Sequence, residues 1–312
     1  MKLQKRILLL LSALLGLSAC GPGPSGDPSA RPSVVATTTM IADMVRKIGG
    51  DDITLTALMG PGVDPHLYKP SAEDAQRLGT AKVIFYNGLL LEGRMSELLD
   101  RLAAQGRAVH AVTSKMPATS LLKSDDGPGH PDPHVWGDAK LWSTAIDVVV
   151  EGLGGAFPDK KAAFDDRGTA LKADYLALHE WALAETAKIP AERRILITSH
   201  DAFNYFGRAY GFQVVGVQGI STVSEAGLAD VAKTVDFIKS RQVKAIFVES
   251  SVPHATIERI AKDSGAQIGG ELFSDALGTP GEKVVVNGTA YDCGTYEGML
   301  RSNVTDIVNA LK

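Results

Sequence analysis

Apolar and polar positions along this chain predict two series of short strands alternating with helices, one on each side of a long amphipathic stretch. Between Pro158 and Pro190 no proline interrupts the chain, and Phe164, Leu171, Tyr175, Leu178 and Ala182 recur at steps of seven, four, three and four. That is the spacing of one helical face. At about 1.5 Å per residue the segment would extend roughly 45 Å, enough to cross two lobes. The flanking prolines supply stops, and Gly168 within the segment costs up to about 1 kcal/mol relative to alanine.

On the N-terminal side the pattern predicts strands over 34–38, 53–58, 82–86 and 108–112, with helices over 40–48 and 96–104. Ser71 followed by Asp74 marks a further helix start. The region 113–133 loses periodicity and reads as a surface loop, and a helix over 139–153 follows it. On the C-terminal side, strands over 194–198, 214–217, 245–248 and 266–268 interleave with helices over 202–210, 225–240 and 254–262, and a last helix covers 295–311. Strands alternating with helices imply parallel sheets. The expected fold class is therefore α/β with two lobes, each a parallel sheet flanked by helices, joined by one long inter-lobe helix. The boundaries fall at 33–156 for the first lobe, 157–190 for the linking helix and 191–312 for the second lobe.

The first nineteen residues change the picture of where the chain works. Lys2, Lys5 and Arg6 precede an apolar run that ends in Leu17-Ser18-Ala19-Cys20. At about eleven residues, that run is too short to span a bilayer and has the proportions of a signal peptide. Its end resembles the bacterial lipobox, which makes 1–19 a lipoprotein signal peptide and Cys20 the lipidated residue. The Gly- and Pro-rich segment 20–32 then reads as a tether. An acyl anchor of this kind would hold the folded part at a bacterial membrane, facing the periplasm or the exterior, without spanning it. Cys293 is the only other cysteine, so with Cys20 acylated it has no disulfide partner and reads as a packed thiol.

Removing Lys2, Lys5 and Arg6 with the leader would take the formal charge from −4 to −7. Nucleic-acid binders carry a basic face, so no nucleic-acid partner is expected. A monomer is expected.

His66, His134, His200 and Asp275 each fall in a loop after a predicted strand, the edge where open α/β sheets bind ligands. Two come from each side of the central helix. Three imidazole nitrogens and one carboxylate suit a divalent transition metal, at about 2.0 to 2.2 Å for zinc. The neighbouring prolines restrict the backbone around His66 and His134. Glu249 ends a strand on the same edge, as a hydrogen-bond partner near the site or as a helix-start acid. His110, His179 and His254 read as structural, Trp136, Trp142 and Trp181 as core or lobe-packing residues, and Gly49-Gly50 and Gly154-Gly155 match no phosphate loop.

Four segments carry a resemblance that covers essentially the whole mature chain. They are Pro61-Gly62-Val63-Asp64-Pro65-His66-Leu67-Tyr68-Lys69-Pro70, Asp132-Pro133-His134-Val135-Trp136, Thr198-Ser199-His200-Asp201-Ala202-Phe203-Asn204-Tyr205-Phe206 and Leu272-Phe273-Ser274-Asp275-Ala276-Leu277-Gly278. In this order they resemble the ligand motifs of the TroA-like family, the metal-binding solute-binding lipoproteins of zinc and manganese ABC transporters. The resemblance implies that His66, His134, His200 and Asp275 hold the transported metal, with Asp64 orienting an imidazole, and that the partner is an ABC permease. Zinc-specific members commonly carry a His- and acid-rich loop where this chain has only His130, and manganese-specific members often have glutamate in place of His200. The chain lies between the two patterns. Two other readings stay open at this level: a zinc-dependent hydrolase, for which no HisGluXaaXaaHis or other paired base is present, and a surface adhesion lipoprotein with a structural metal.

Overall fold

In the computed structural model, which describes residues 33–124 and 130–312, the first half of the chain is built on four parallel strands. These are β1 (Ser33–Ala36), β2 (Thr54–Ala57), β3 (Val83–Tyr86) and β4 (Val109–Ala111), in the order β2-β1-β3-β4. The interleaved helices are α1 (Thr39–Gly49), α2 (Ala72–Thr80) and α3 (Ser96–Ala104). Ser71 caps α2 in a capping box with Asp74, as the sequence predicts. Because β1 pairs with both β2 and β3, the winding direction reverses beside it, and the loops after the strands open a crevice at their carboxyl ends.

The helix expected over 139–153 is broken in two, α4 (Ala139–Trp142) and α5 (Ala145–Ala156). Side chains at the junction cause the break: the hydroxyls of Ser143 and Thr144 donate to the carbonyls of Lys140 and Leu141, each at 2.7 Å, and compete with the helical ladder. The long helix, α6 (Lys161–Thr186), follows a single 3₁₀ turn at Pro158–Lys160.

Beyond α6 the second half contains β5 (Ile195–Thr198), α7 (Asn204–Tyr210), β6 (Gln213–Gly216), α8 (Leu228–Arg241), β7 (Ala245–Glu249), α9 (Ala255–Ser264) and β8 (Gln267–Leu272). Its strands form two parallel pairs, β5 with β6 and β7 with β8, with β5 against β7. The short strand expected over 266–268 continues to Leu272 and so carries Asp275 closer to a strand end. An antiparallel hairpin, β9 (Lys283–Val286) and β10 (Thr289–Asp292), precedes α10 (Tyr296–Leu311) and was not read from the sequence. The leader, Cys20 and the tether over 20–32 lie outside the described residues. No helix among the described residues is long and apolar enough to cross a membrane.

α6 joins the two lobes through one core. It packs against α1, α4 and α5 from the first half and α7 and α10 from the second. Its buried face, with Phe164, Leu171, Tyr175, Leu178 and Ala182, belongs to an apolar cluster that runs from Val34 to Leu311. Polar ties also cross between the halves: Tyr296 N–H donates to Asp43 at 3.1 Å and Leu277 N–H to Thr39 Oγ1 at 2.8 Å.

Gly168 lets α6 pack closely on α5. A Cβ there would lie 2.4 Å from Val150 Cγ2 and 3.4 Å from Ile146 Cγ2. Helix propensity alone would make Gly168→Ala stabilising by up to about 1 kcal/mol. Overpacking should reverse the sign and cost about 1–3 kcal/mol. Urea unfolding of Gly168→Ala, alone and with Val150→Ala, checks this: a stabilised single variant would show that the helices separate freely.

Candidate metal centre

Two copies of the tripeptide Asp-Pro-His build half of the site by the same local device. Asp64 accepts the backbone N–H of His66 at 2.8 Å, and Asp132 accepts that of His134 at 2.9 Å. Each is an Asx turn that fixes the histidine's backbone two residues on. The carboxylates then diverge. Asp132 Oδ1 also lies 2.8 Å from His134 Nδ1, so the ring donates there and keeps Nε2 for the centre. Asp64 turns its second oxygen to Thr222, whose hydroxyl donates at 2.5 Å. Asp64 thus bears on His66 through the main chain, with its other oxygen tied to Thr222.

His200 follows β5 and is held at two points by Glu249, the last residue of β7. Its N–H donates to Oε1 at 2.8 Å, and its Nδ1 lies 2.5 Å from Oε2. Of the two readings of Glu249, the hydrogen-bond partner is the one the geometry matches. Asp275 follows β8, with Ser251 Oγ 3.4 Å from its Oδ2. Trp136 ties the His134 and Asp275 loops together, its indole N–H donating to the Ser274 carbonyl at 2.7 Å.

The structure thus brings all four candidate ligands to one point, with one donor atom from each within 4.8 Å of the others. His66 Nε2 and His134 Nε2 are 3.2 Å apart, His134 Nε2 and Asp275 Oδ1 3.4 Å, and His200 Nε2 and Asp275 Oδ2 3.3 Å. Donors about 2.0–2.1 Å from a tetrahedral ion stand about 3.3 Å from each other, so these separations suit such an ion. His134, His200 and Asp275 are shielded from solvent, yet His200 Nε2 and Asp275 Oδ1 make no hydrogen bond of acceptable geometry. Buried polar atoms without partners are costly unless something else satisfies them, and a cation at their centre would.

Electrostatics within the site divide the candidate ligands. Burial pushes the His66 ring down to about 3, so it stays neutral. For His134 burial acts the same way, but Asp132 and Asp275 outweigh it and hold the ring up at about 9. His200 is also raised well above the ordinary imidazole value, since Glu249 and Asp275 overcome its burial. Burial would raise Asp275, but His200 and His134 hold it well below the usual carboxylate range. The carboxylates around His134 and His200 thus favour positive charge at the centre of the pocket.

His110, His179 and His254, with Trp142 and Trp181, have partners of their own. His110 stacks on Phe85, His179 reaches Asp138 and Tyr210, and His254 lies 3.1 Å from the Glu249 carbonyl. Trp142 is fully buried and Trp181 stacks under Arg301. Four polar partners were not read from the sequence: Asp132, Trp136, Thr222 and Glu92. Glu92 is buried and accepts from Thr37 Oγ1 and from Asn87 and Gly88 N–H, which fixes the loop after β3. Only Asp132 left a usable signal, the repeat of Asp-Pro-His.

If Glu249 holds His200 as a ligand, Glu249→Gln should weaken zinc binding by about 10–100-fold, the usual effect of losing a ligand's supporting partner. Chelator competition measures it, and an unchanged affinity would remove Glu249 from the site.

Comparison with known proteins agrees with this geometry. The family described as ZnuA, zinc-uptake complex component A, periplasmic, matches residues 34–310. The manganese-binding lipoprotein MntA of Bacillus subtilis (strain 168) is 42% identical over 315 residues, covering 99% of this chain and 99% of the relative. The zinc-binding protein TroA of Treponema pallidum (strain Nichols) is 42% identical over 309 residues, covering 97% of this chain and 96% of the relative. The solved structure of the periplasmic zinc-binding protein TroA from Treponema pallidum superposes with a TM-score of 0.85 at 44% identity, covering 90% of this chain and 99% of that one. With a family match along nearly all of its folded length and relatives that align over 97–99% of the chain, the chain belongs to the family described as ZnuA.

Proposed function

We propose that this protein captures a divalent transition metal, zinc or manganese, at His66, His134, His200 and Asp275 and delivers it to an ABC importer. The observation that carries the reading is the convergence of these four buried donors at separations of 3.2–3.4 Å, in a chain whose relatives are named for binding manganese or zinc. A carrier fits better than a zinc hydrolase: four protein donors complete a tetrahedron, whereas catalytic zinc keeps a position open for water. Zinc stands above manganese in the general affinity order, so zinc should bind at least as tightly in vitro, whichever ion is carried.

In this reading 33–156 and 191–312 are the two lobes and 157–190 links them. The protein acts as a monomer outside the cytoplasmic membrane, tethered through a lipid on Cys20, and its partner is the permease of the importer. Relatives such as SloC of Streptococcus mutans, named a metal ABC transporter substrate-binding lipoprotein, support the placement.

The test is elemental analysis of natively purified protein, followed by zinc and manganese competition titrations. One equivalent of metal, lost in His66→Ala, is expected; protein that binds none from a verified metal-free start would overturn the reading. For the anchor, Cys20→Ala should move the protein out of the membrane fraction, and an equally membrane-bound variant would refute it.

A further inference from the structure

The four candidate ligands are not equally hidden. His134 and His200 are fully buried and Asp275 is 1% exposed, whereas His66 keeps 7% exposure. His66 is also the one of the four that lines a cavity of about 500 Å³ opening to the surface. The route from the surface to the centre that this cavity offers therefore passes His66. Leu89 and Leu90 line one part of this cavity, and the segment after β6, including Gln218, Ile220 and Val223, lines another.

That segment is held firmly at its base and lightly beyond it. Val217 and Gln218 N–H donate to the Thr198 and Ser199 carbonyls, and Asp201 N–H donates to the Gly219 carbonyl, which fixes residues 217–219 to the turn carrying His200. From Ser221 to Gly227 the chain is largely exposed, with Val223 at 67%. Thr222 is the buried residue in that stretch, at 8%, and its hydroxyl reaches across to Asp64 Oδ2 at 2.5 Å. The other oxygen of Asp64 holds the backbone N–H of His66.

We infer that Thr222 is a positioning residue that sets the rate of metal exchange. Its hydroxyl latches the 220–227 segment over the cavity and, through Asp64, fixes the loop of the ligand at the cavity's end. Breaking this one hydrogen bond opens the route and loosens His66 together. Mobility of the segment alone would open the route but leave the ligand in place; the shared carboxylate couples the two events.

The inference rests on the four-ligand reading, and the experiment separates the two. The mature protein is loaded with one equivalent of zinc, and release to excess chelator is followed by stopped flow in the wild type, Thr222→Val and Thr222→Ser. Loss of the hydroxyl in Thr222→Val, which keeps the shape, should speed release by at least about tenfold, the factor one charge-assisted hydrogen bond supplies. Thr222→Ser, which keeps the hydroxyl, should release at the wild-type rate and melt with the wild type in the metal-free state, whereas Thr222→Val should melt slightly lower, having lost one hydrogen bond. Thr222→Ala serves as a second hydroxyl-free variant if valine is poorly accommodated. Release from Thr222→Val and Thr222→Ala at the wild-type rate would overturn the latch, as would Thr222→Ser releasing as fast as Thr222→Val. A wild-type protein that takes up no zinc at all would instead fail the four-ligand reading at the loading step.

Discussion

Zinc at a thousandfold excess over its Kd should raise the melting temperature of this protein by roughly 7 °C, and His66→Ala should reduce that rise to a small fraction. A ligand that binds only the folded state adds RT ln(1 + [L]/Kd), about 4 kcal/mol at that excess. For a folded chain of this size, an unfolding entropy near 2.1 cal/mol/K per residue converts the gain into about that shift. The choice of His66 matters. Its ring is neutral in the metal-free protein, pushed down to about 3 by burial, so truncating it strands no buried charge. Removing His134 would leave Asp132 and Asp275 facing an empty position, and breaking such a buried pair costs about 3–5 kcal/mol in its own right. His66→Ala thus isolates the lost ligand from the damaged fold. Equal zinc-induced shifts in wild type and variant, measured by calorimetry from verified metal-free material, would remove His66 from the site.

A second large effect is expected at His200, where the donor type bears on the choice between zinc and manganese. The sequence alone suggests that His200→Glu supplies hard oxygen and narrows the zinc preference. The structure adds a cost. His200 lies between two carboxylates, with Nδ1 2.5 Å from Glu249 and Nε2 3.3 Å from Asp275. A glutamate there would place three carboxylates together in a dry pocket, so His200→Glu alone should destabilise the metal-free protein by about 3–5 kcal/mol. Combining it with Glu249→Gln removes one of the repelling charges and should restore much of the stability. In this double variant the zinc-to-manganese affinity ratio should fall, mainly through weaker zinc binding. Urea unfolding and competition titrations on both variants decide it: an unchanged ratio in a double variant that still binds both ions would show that the donor at position 200 does not set the preference.

The features that the sequence made legible are those whose physical cause is local. The helical face of 158–190 shows because its apolar residues repeat at helical steps, and the Ser71 and Asp74 capping box shows because it closes within one turn. The candidate ligands showed through their placement after strands, and two of them through the prolines beside them. What stayed hidden depends on partners far along the chain. Thr222 meets Asp64 across 158 positions, Trp136 meets Ser274 across 138, and Glu92 meets Thr37 across 55. No periodicity encodes such pairs. The β9–β10 hairpin is a different case. Asn287 and Gly288 take positive φ, 50° and 82°, the signature of an Asn-Gly turn. Its strands, however, are four residues each and mostly exposed or half-buried, so they lack a sustained apolar alternation.

The apolar cluster that passes through α6 ties the unfolding of the two halves together. Tyr175 of α6 and Tyr296 of the second half sit with ring centroids 4.7 Å apart, and Trp142 of the first half stands 6.3 Å from Tyr296. Neither half closes its own apolar surface, because part of each is completed by residues of the other. A fragment ending at residue 190 would present the Tyr175 face of α6 to water and invite aggregation. Opening one half therefore also exposes apolar surface of the other, which raises the cost of the partly unfolded forms a protease could cut.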